Sequence, residues 1–236
     1  MKKFFALTLA TLMLASSLAF APRPARAQGP ALVSSILNKM ERNRRDLRSL
    51  RAALTMQKYN AQLKDFDMSS GELQYVAGGS SKSSNVRVEW TRPAHELLTV
   101  SGGQYKLYRP RLNQAYVGST SSAKGNAKVS GVLGFSLNAS GSQLKNQFDV
   151  EFAGEGQLYD GGPQVWMLKL TPKGGAGYKF AEVWVDQSTG MPVQTRVTEK
   201  NGDSTLVRLT NIQRNAPVRP EDIKIDLPAG VKIVNG

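Results

Sequence analysis

The stretch EWTRPAHELLTVSGGQYKLYRP, residues Glu89–Pro110, decides the fold prediction for this chain. Apolar and polar residues alternate on both sides of Gly102 and Gly103, which can supply the positive φ angles of a tight turn. The pattern predicts a β-hairpin whose second strand ends at Pro110. The same stretch contains His95, the single histidine of the chain, and therefore also raises the question of an active site.

His95 lacks the partners that histidine-based catalysis requires. A catalytic base needs an orienting carboxylate and a nucleophile within reach, and the sequence contains no G-x-S-x-G motif. One histidine cannot supply the several ligands of a catalytic metal site, and the absence of cysteine excludes thiol catalysis. We therefore predict that the chain is not an enzyme and that it has no catalytic residues, no metal and no cofactor.

Short segments typical of β-strands extend in both directions from the hairpin. Val86, Val88 and Trp90 alternate with polar Arg87 and Glu89, which indicates a strand with one apolar face. The other predicted strands, separated by Gly-rich turns, are Leu112–Gly118, Gln147–Ala153, Gln164–Thr171, Tyr178–Asp186, Pro192–Thr198, Ser204–Asn211 and Ile223–Leu227. Their regular spacing predicts a mainly β fold with an antiparallel sheet and a few helices.

Two segments have helical spacing. In Ala31–Ala52 the apolar stripe consists of Leu32, Val33, Ile36, Leu37, Met40, Leu47 and Leu50, and it continues to Leu54. Polar Asn43 and Arg44 leave a gap in this stripe. The second candidate is Lys128–Leu144, in which three glycines weaken the helix prediction.

One predicted strand, Val165–Leu170 with the sequence VWMLKL, is apolar on both faces. An open antiparallel sheet usually leaves one face in water. We therefore expect helices to cover one face of this strand and more protein or a ligand to cover the other.

The first residues have the three-part plan of a secretory signal peptide. Lys2 and Lys3 precede an apolar run, and Ala25-Arg26-Ala27 forms a small-residue cleavage site. We expect removal of residues 1–27 and a single mature domain of residues 28–236. Because a bacterial lipoprotein needs a cysteine at its cleavage site, we expect no lipid anchor on this chain.

The chain is basic, with a formal net charge of +13, which falls to +9 when Lys2, Lys3, Arg23 and Arg26 leave with the signal peptide. A basic surface attracts anionic membranes or an acidic partner. Since an exported chain meets little nucleic acid, we expect no nucleic-acid partner.

A series of short motifs runs in order along the chain. They are Gln57, Gly71-Glu72-Leu73, Pro93 followed by LLTVSGG, Tyr108-Arg109-Pro110, LKLTPK at Leu168–Lys173, VWVDQSTGMPVQ with Asp186, Gly190 and Pro192, and the closing segments LTNIQRN and LPAGVKIV. Behind a signal peptide, this series resembles the LolA family of periplasmic outer-membrane lipoprotein carriers over most of the mature chain.

The resemblance implies an unclosed antiparallel β half-barrel with helices covering its concave face. It also implies a function, which is to bind the acyl chains of lipoproteins in an apolar cavity and ferry them through the periplasm from the inner to the outer membrane. The implied partners are an inner-membrane lipoprotein-releasing transporter and an outer-membrane acceptor, and we expect a monomer. Two alternatives remain open: a carrier of other envelope lipids, and a lipid-sensing regulator of envelope stress.

The chain departs from the family pattern in one respect that concerns lipoprotein hand-over. The Arg-Pro pair that the family carries in the strand after G-x-L is absent, and VAGGSSKSSNVRVEW stands in its place. Lys82 and Arg87 are the two candidates for the hand-over residue.

The resemblance to a lipid carrier makes the apolar residues of the central strands candidates for the cavity wall. Leu98 and Val100 share one face of the first hairpin strand, and Tyr105 and Leu107 share one face of the second. Together with aromatic residues of neighbouring strands, the candidate lipid-binding residues are Trp90, Leu98, Val100, Tyr105, Leu107, Trp166, Phe180 and Trp184.

Signal-peptide cleavage can be tested on the exported protein. Because Ala25-Arg26-Ala27 has the small residues that signal peptidase requires, we expect N-terminal sequencing of the soluble product to begin at Gln28. A membrane-embedded product that retains residues 1–27 would contradict this prediction.

Overall fold

The computed structural model describes residues 29–78, 85–121, 140–175 and 177–235. Their strands are β1 (Ser49–Asn60), β2 (Asp65–Val76), β3 (Asn85–Arg92), β4 (Glu96–Ser101), β5 (Gln104–Arg109), β6 (Gln114–Ser119), β7 (Phe148–Gln157), β8 (Gln164–Pro172), β9 (Tyr178–Asp186), β10 (Pro192–Glu199), β11 (Ser204–Arg214) and β12 (Lys232–Asn235).

All twelve strands form one sheet in the order β12-β6-β5-β4-β3-β2-β1-β11-β10-β9-β8-β7. Every neighbouring pair is antiparallel except β6 with β12, which is parallel. The sheet is not closed into a barrel, and β12 and β7 are its two edges. The prediction of a mainly β fold with an open half-barrel and helices is confirmed.

The first helix, α1, spans Gly29–Asp46 and is shorter than predicted. The predicted continuation to Ala52 is wrong, because the chain enters β1 at Ser49. In β1, Leu50 and Ala52 lie on one face of the sheet and pair with Tyr75 and Leu73 of β2. These residues therefore follow the period of two of a strand, although Leu47, Leu50 and Leu54 also fit a helical stripe.

The second helix, α2, spans Gly141–Gln147 and is fixed by its N-terminal cap. The Ser140 hydroxyl accepts a hydrogen bond from the Gln143 amide at 3.1 Å, and the Gln143 side chain accepts one from the Ser140 amide at 2.9 Å. Residues 128–139 of the predicted second helix lie outside the described residues. Neither α1 nor α2 combines the length and apolar character needed to cross a membrane.

The hairpin predicted from the opening stretch is present as β4 and β5. Gly102 and Gly103 form its turn with φ angles of 59° and 77°. Leu98 faces Leu107 and Val100 faces Tyr105 across the two strands. The alternation in the sequence thus places these four apolar side chains on one face.

The face of the sheet that contacts α1, here called the inner face, carries two apolar clusters. The first inner cluster comprises Leu47, Leu50, Ala52, Leu54, Met56, Leu73, Tyr75, Val88, Trp90, Leu98, Val100, Tyr105, Leu107, Met191, Val207 and Leu209. The second inner cluster comprises Val33, Ile36, Leu37 and Met40 of α1, Leu144 of α2, and Leu168, Leu170, Ala181, Val183 and Val185.

One cross-strand row joins the two inner clusters. Met56 pairs with Val207, Val207 with Thr195, Thr195 with Val183 and Val183 with Leu168. Because directly paired residues share a face of the sheet, the two clusters form a single inner surface that runs from β5 to β8.

The opposite, outer face is crossed by the C-terminal strap, residues 215–231. Ile223 and Ile225 of the strap are buried, and Ile225 packs with Tyr108 and Ala115. The predicted strand Ile223–Leu227 is wrong, because this segment is a 3-10 turn at Pro220–Ile223 followed by chain without strand pairing. The apolar residues Ile223, Ile225 and Leu227 alternate in this segment because they pack onto the outer face of the sheet.

Three cations of the outer face hold the strap by its backbone. Arg51 donates to the Pro217 carbonyl oxygen at 3.3 Å, Arg87 to that of Lys224 at 2.9 Å, and Lys106 to that of Ile225 at 3.3 Å. Arg51, Arg87 and Lys106 lie in one cross-strand row, in which Gln74 and Thr99 separate them. The row therefore aligns three donors along the path of the strap.

Gly71 allows β2 to approach β3 closely, so its replacement should destabilise the sheet. A Cβ at Gly71 would lie 2.1 Å from the Glu89 carbonyl oxygen and 2.8 Å from the Trp90 Cα. We expect Gly71→Ala to lower the free energy of unfolding by about 3 kcal/mol in urea titrations, because backbone atoms must move. The matched control is Gly156→Ala in β7, where nothing lies within 4 Å of the added Cβ. We expect Gly156→Ala to change the free energy of unfolding by less than about 1 kcal/mol. Equal losses for the two variants would show that the close approach at Gly71 does not affect stability.

Because Arg87 holds the strap by a hydrogen bond, we expect Arg87→Gln to destabilise the protein. Loss of the charged donor to the Lys224 carbonyl should lower the free energy of unfolding by about 1.5 kcal/mol and speed hydrogen exchange within the strap. Arg214→Gln is the control, since Arg214 is an exposed arginine of β11. Unchanged stability and exchange in Arg87→Gln would show that this contact does not hold the strap.

Candidate functional site

Five of the eight predicted lipid-binding residues lie together in the first inner cluster. Trp90, Leu98 and Leu107 are fully buried, and Val100 and Tyr105 are nearly so. Val88, adjacent to Trp90 on the same face of β3, faces Leu98, and Leu98 faces Leu107. The structure therefore brings these five side chains onto one continuous apolar surface.

Trp166 lies on the inner face but packs against the second inner cluster. It is half-buried, and the Lys39 ammonium of α1 lies 5.6 Å from its ring centroid. Lys39 also donates a hydrogen bond to the Gln187 carbonyl oxygen. This cation–π contact and hydrogen bond tie the middle of α1 to the β8 side of the sheet.

Phe180 and Trp184 are corrections to the predicted set, because they lie on the outer face. Trp184 pairs with Met167, whereas Val185 pairs with Trp166, so successive residues of β9 point to opposite faces. On the outer face the Arg196 guanidinium lies 5.5 Å from the Trp184 ring centroid. The Lys169 ammonium lies 5.1 Å from the Phe180 ring centroid. Neither aromatic ring can line a cavity on the inner face.

Of the two candidates for the hand-over residue, the structure describes Arg87 alone. Lys82 lies outside the described residues. Arg87 lies on the outer face under the strap, where it also contacts Glu89 at 3.3 Å. Arg87 is therefore separated from the first inner cluster by the sheet itself.

Glu89 joins Arg87 to the histidine of the opening stretch. The Glu89 carboxylate lies 3.0 Å from the His95 Nε2. Partial burial raises the pKa of Glu89, but the contacts with His95 and Arg87 outweigh it, so that the pKa lies below its usual value. His95 thus has an ionised carboxylate as its described partner, in a half-exposed network on the outer face.

The hairpin between β9 and β10 is fixed by the motif around Asp186. The Asp186 carboxylate accepts hydrogen bonds from the Ser188 and Thr189 hydroxyls and from the Thr189 amide. Burial raises the pKa of Asp186, and these hydrogen bonds lower it further than burial raises it. Gly190 has a φ of 73°, and an added Cβ there would lie 2.6 Å from the Lys39 carbonyl oxygen. The motif therefore seats α1 against the sheet.

One buried polar residue of α1 interrupts the apolar stripe that packs on the inner face. Asn43 occupies the buried stripe of α1 between Met40 and Leu47, and 2 % of its surface is exposed. No hydrogen-bond donor reaches its Oδ1 among the described residues. A buried acceptor without a donor costs about 1–3 kcal/mol, so the position needs an explanation. The interrupted helical stripe was the sequence signal that marked it.

The described side chains of the inner face are almost all aliphatic or aromatic. Its polar margin at β4 and β5 contains the ion pair of Glu96 with Arg109, at 3.3 Å, and the Arg109 guanidinium lies 4.9 Å from the Tyr116 ring centroid. Among the described residues, no group of three or more acidic or histidine side chains is placed to hold a metal.

Comparisons with solved structures identify proteins of the same fold. MucB is 17% identical, with a TM-score of 0.56, over 83% of this chain and 63% of that chain. A second structure, MucB in complex with MucA(peri), is also 17% identical, with a TM-score of 0.50, over 82% of this chain and 60% of that chain. An uncharacterized conserved protein from Thermus thermophilus is 14% identical, with a TM-score of 0.54, over 87% of this chain and 99% of that chain. This chain therefore spans about three fifths of the length of the MucB chains.

The family of the chain follows from comparison of its sequence with protein-family models. No curated protein sequence matches the chain. A family model described as "Outer membrane lipoprotein carrier protein LolA" matches residues 46–226, which include every strand from β1 to β11. The chain belongs to the LolA family.

Proposed function

We propose that this chain is a periplasmic carrier that holds the acyl chains of lipoproteins against the inner face of its half-barrel. The observation that supports this proposal is the first inner cluster, a continuous apolar surface on one face of an open sheet. In the proposed function residues 1–27 direct export and are then removed. The mature chain acts as a monomer between an inner-membrane transporter and an outer-membrane acceptor, and it catalyses no reaction.

The energetics of lipid transfer require a surface of this kind. Each CH₂ group that leaves a bilayer costs about 0.8 kcal/mol, so an acyl chain of about 16 carbons costs roughly 12 kcal/mol to extract. Apolar burial recovers about 25 cal/mol for each Å² removed from water. A carrier must therefore offer several hundred Å² of apolar surface for each chain, which side chains spread over many neighbouring strands can supply.

The packing of α1 suggests how acyl chains gain access to that surface. α1 is held to the second inner cluster by Val33, Ile36, Leu37 and Met40, whereas Leu47, just beyond its end, belongs to the first. Movement at the end of α1 would therefore disturb the first inner cluster while the second remains packed.

A second candidate is a lipid-sensing regulator. This alternative is favoured by the likeness to MucB, which has been solved in complex with MucA(peri). A third, transport of other envelope lipids, uses the same inner face, since apolar walls do not by themselves select one lipid.

The experiment is lipid uptake by variants that place a charge on either face of the sheet. Trp166 and Trp184 are both half-buried and lie on adjacent strands, but on opposite faces. We expect Trp166→Glu, and Val86→Glu beside the first inner cluster, to weaken binding of a fluorescent palmitate analogue at least ~10-fold, because a carboxylate replaces apolar surface that would contact the acyl chain. Trp184→Glu is the matched control and should bind as the unmodified chain does.

Circular dichroism must show the same β-sheet spectrum for all variants that are compared. Equal binding by all of them, or no binding by the unmodified chain, would contradict the carrier proposal. Transfer of a palmitoylated peptide from donor to acceptor vesicles separates the alternatives: a carrier accelerates transfer, whereas a sensor binds the peptide without transferring it.

A further inference from the structure

Asn43 lies where the two inner clusters meet. One helical turn before it, Met40 belongs to the second inner cluster, and one turn after it, Leu47 belongs to the first. The backbone is satisfied here, since the Asn43 carbonyl oxygen accepts a hydrogen bond from the Leu47 amide at 2.9 Å. The unusual feature is therefore the carboxamide side chain, which is buried between residues of two apolar clusters.

The nearby cations do not serve the Asn43 side chain. Arg44 donates to both carboxylate oxygens of Glu41, at 2.6 Å and 3.0 Å, and Arg45 donates to one of them at 3.2 Å. This network holds the pKa of Glu41 at about 2, mainly through the hydrogen bond from Arg44. Glu41, Arg44 and Arg45 are thus engaged with each other, and Oδ1 of Asn43 remains without a donor among the described residues.

A ligand that satisfies this oxygen must carry an N–H or an O–H group. The carboxamide oxygen accepts hydrogen bonds only, and the hydrocarbon of an acyl chain has no donor to offer. An amide N–H or a hydroxyl at the point where an acyl chain joins its head group would place a donor at the end of an apolar segment.

We propose that Asn43 is the polar specificity residue of the lipid site, and that it selects lipids with a hydrogen-bond donor next to the acyl chain. The inference rests on the proposed function and deepens it by naming the substrate class. Acyl chains lie on the inner clusters, and the amide N–H or hydroxyl at their head donates to Oδ1 of Asn43. A lipid whose acyl linkages are all esters, and which has no such donor, binds with the same apolar contacts but leaves this oxygen unsatisfied.

The test compares ligands that differ only in the donor. N-palmitoylglycine has an amide N–H, and N-palmitoylsarcosine carries a methyl group in its place. Monopalmitoylglycerol and its dimethyl ether form the corresponding hydroxyl pair. Dissociation constants are measured by competition with the fluorescent palmitate analogue. One neutral hydrogen bond corresponds to a preference of about fivefold, so we expect the unmodified chain to prefer the donor member of at least one pair by that factor.

Substitutions in the protein test whether the Asn43 side chain causes this preference. Asn43→Leu should bind both members of each pair equally. Asn38→Leu is the matched control, because it is the same substitution at an exposed position of α1 and should keep the preference. Asn43→Ala serves the same purpose if the larger side chain prevents folding.

The outcomes separate this inference from the carrier proposal. Equal binding within both pairs by the unmodified chain overturns the role of Asn43 while the carrier function stands. A preference that persists in Asn43→Leu and Asn43→Ala also overturns it and assigns selectivity to another residue. If the unmodified chain binds none of the four ligands, the carrier function and this inference fail together.

Discussion

An open sheet with an apolar inner face must keep that face from water without closing into a barrel, and the rest of the structure depends on this constraint. The inner surface runs from β5 to β8, and the cross-strand row from Met56 to Leu168 makes it continuous. α1 and α2 pack on its second cluster, where Lys39 and the motif around Asp186 fix the position of α1. Separate helices, rather than barrel closure, therefore cover the part of the inner surface that belongs to the second cluster.

Each face of the sheet holds its covering segment by apolar packing together with hydrogen bonds to backbone carbonyl oxygens. The second inner cluster holds α1 by aliphatic packing, which depends little on direction. The outer face holds the strap by directional hydrogen bonds from Arg51, Arg87 and Lys106 to backbone carbonyl oxygens. The three donors fix the strap on the outer face, and the hydrogen bond from Lys39 to Gln187 fixes α1 on the inner face.

The sequence was sufficient to predict the hairpin, because Gly102 and Gly103 and the alternation around them have one local interpretation. It was insufficient at the end of α1, where Leu50 and Leu54 fit both a helical stripe and one face of a strand. It also could not assign faces in β9, because Trp184 and its neighbours Val183 and Val185 are all apolar. Only pairing with β8 shows that Trp184 lies outside and the two valines inside.

Polar residues were the hardest part of the site to predict. Arg87 alternates with Val86 and Val88 as an exposed strand residue would, and its partner is a backbone segment more than a hundred residues away in sequence. Asn43 was visible as a gap in the helical stripe, but its burial depends on how α1 meets the inner face. In both cases the decisive contact is tertiary, so local spacing could not reveal it.

Whether the half-barrel carries lipid can be tested by native mass spectrometry of the mature protein, purified from the cell envelope without detergent. If acyl chains occupy the inner face, we expect a protein species with added mass, and organic extraction should remove that mass and allow its identification as an acylated molecule. A protein that always has the mass of its polypeptide alone, together with organic extracts that contain no acylated molecule, would contradict the claim that this half-barrel carries lipid.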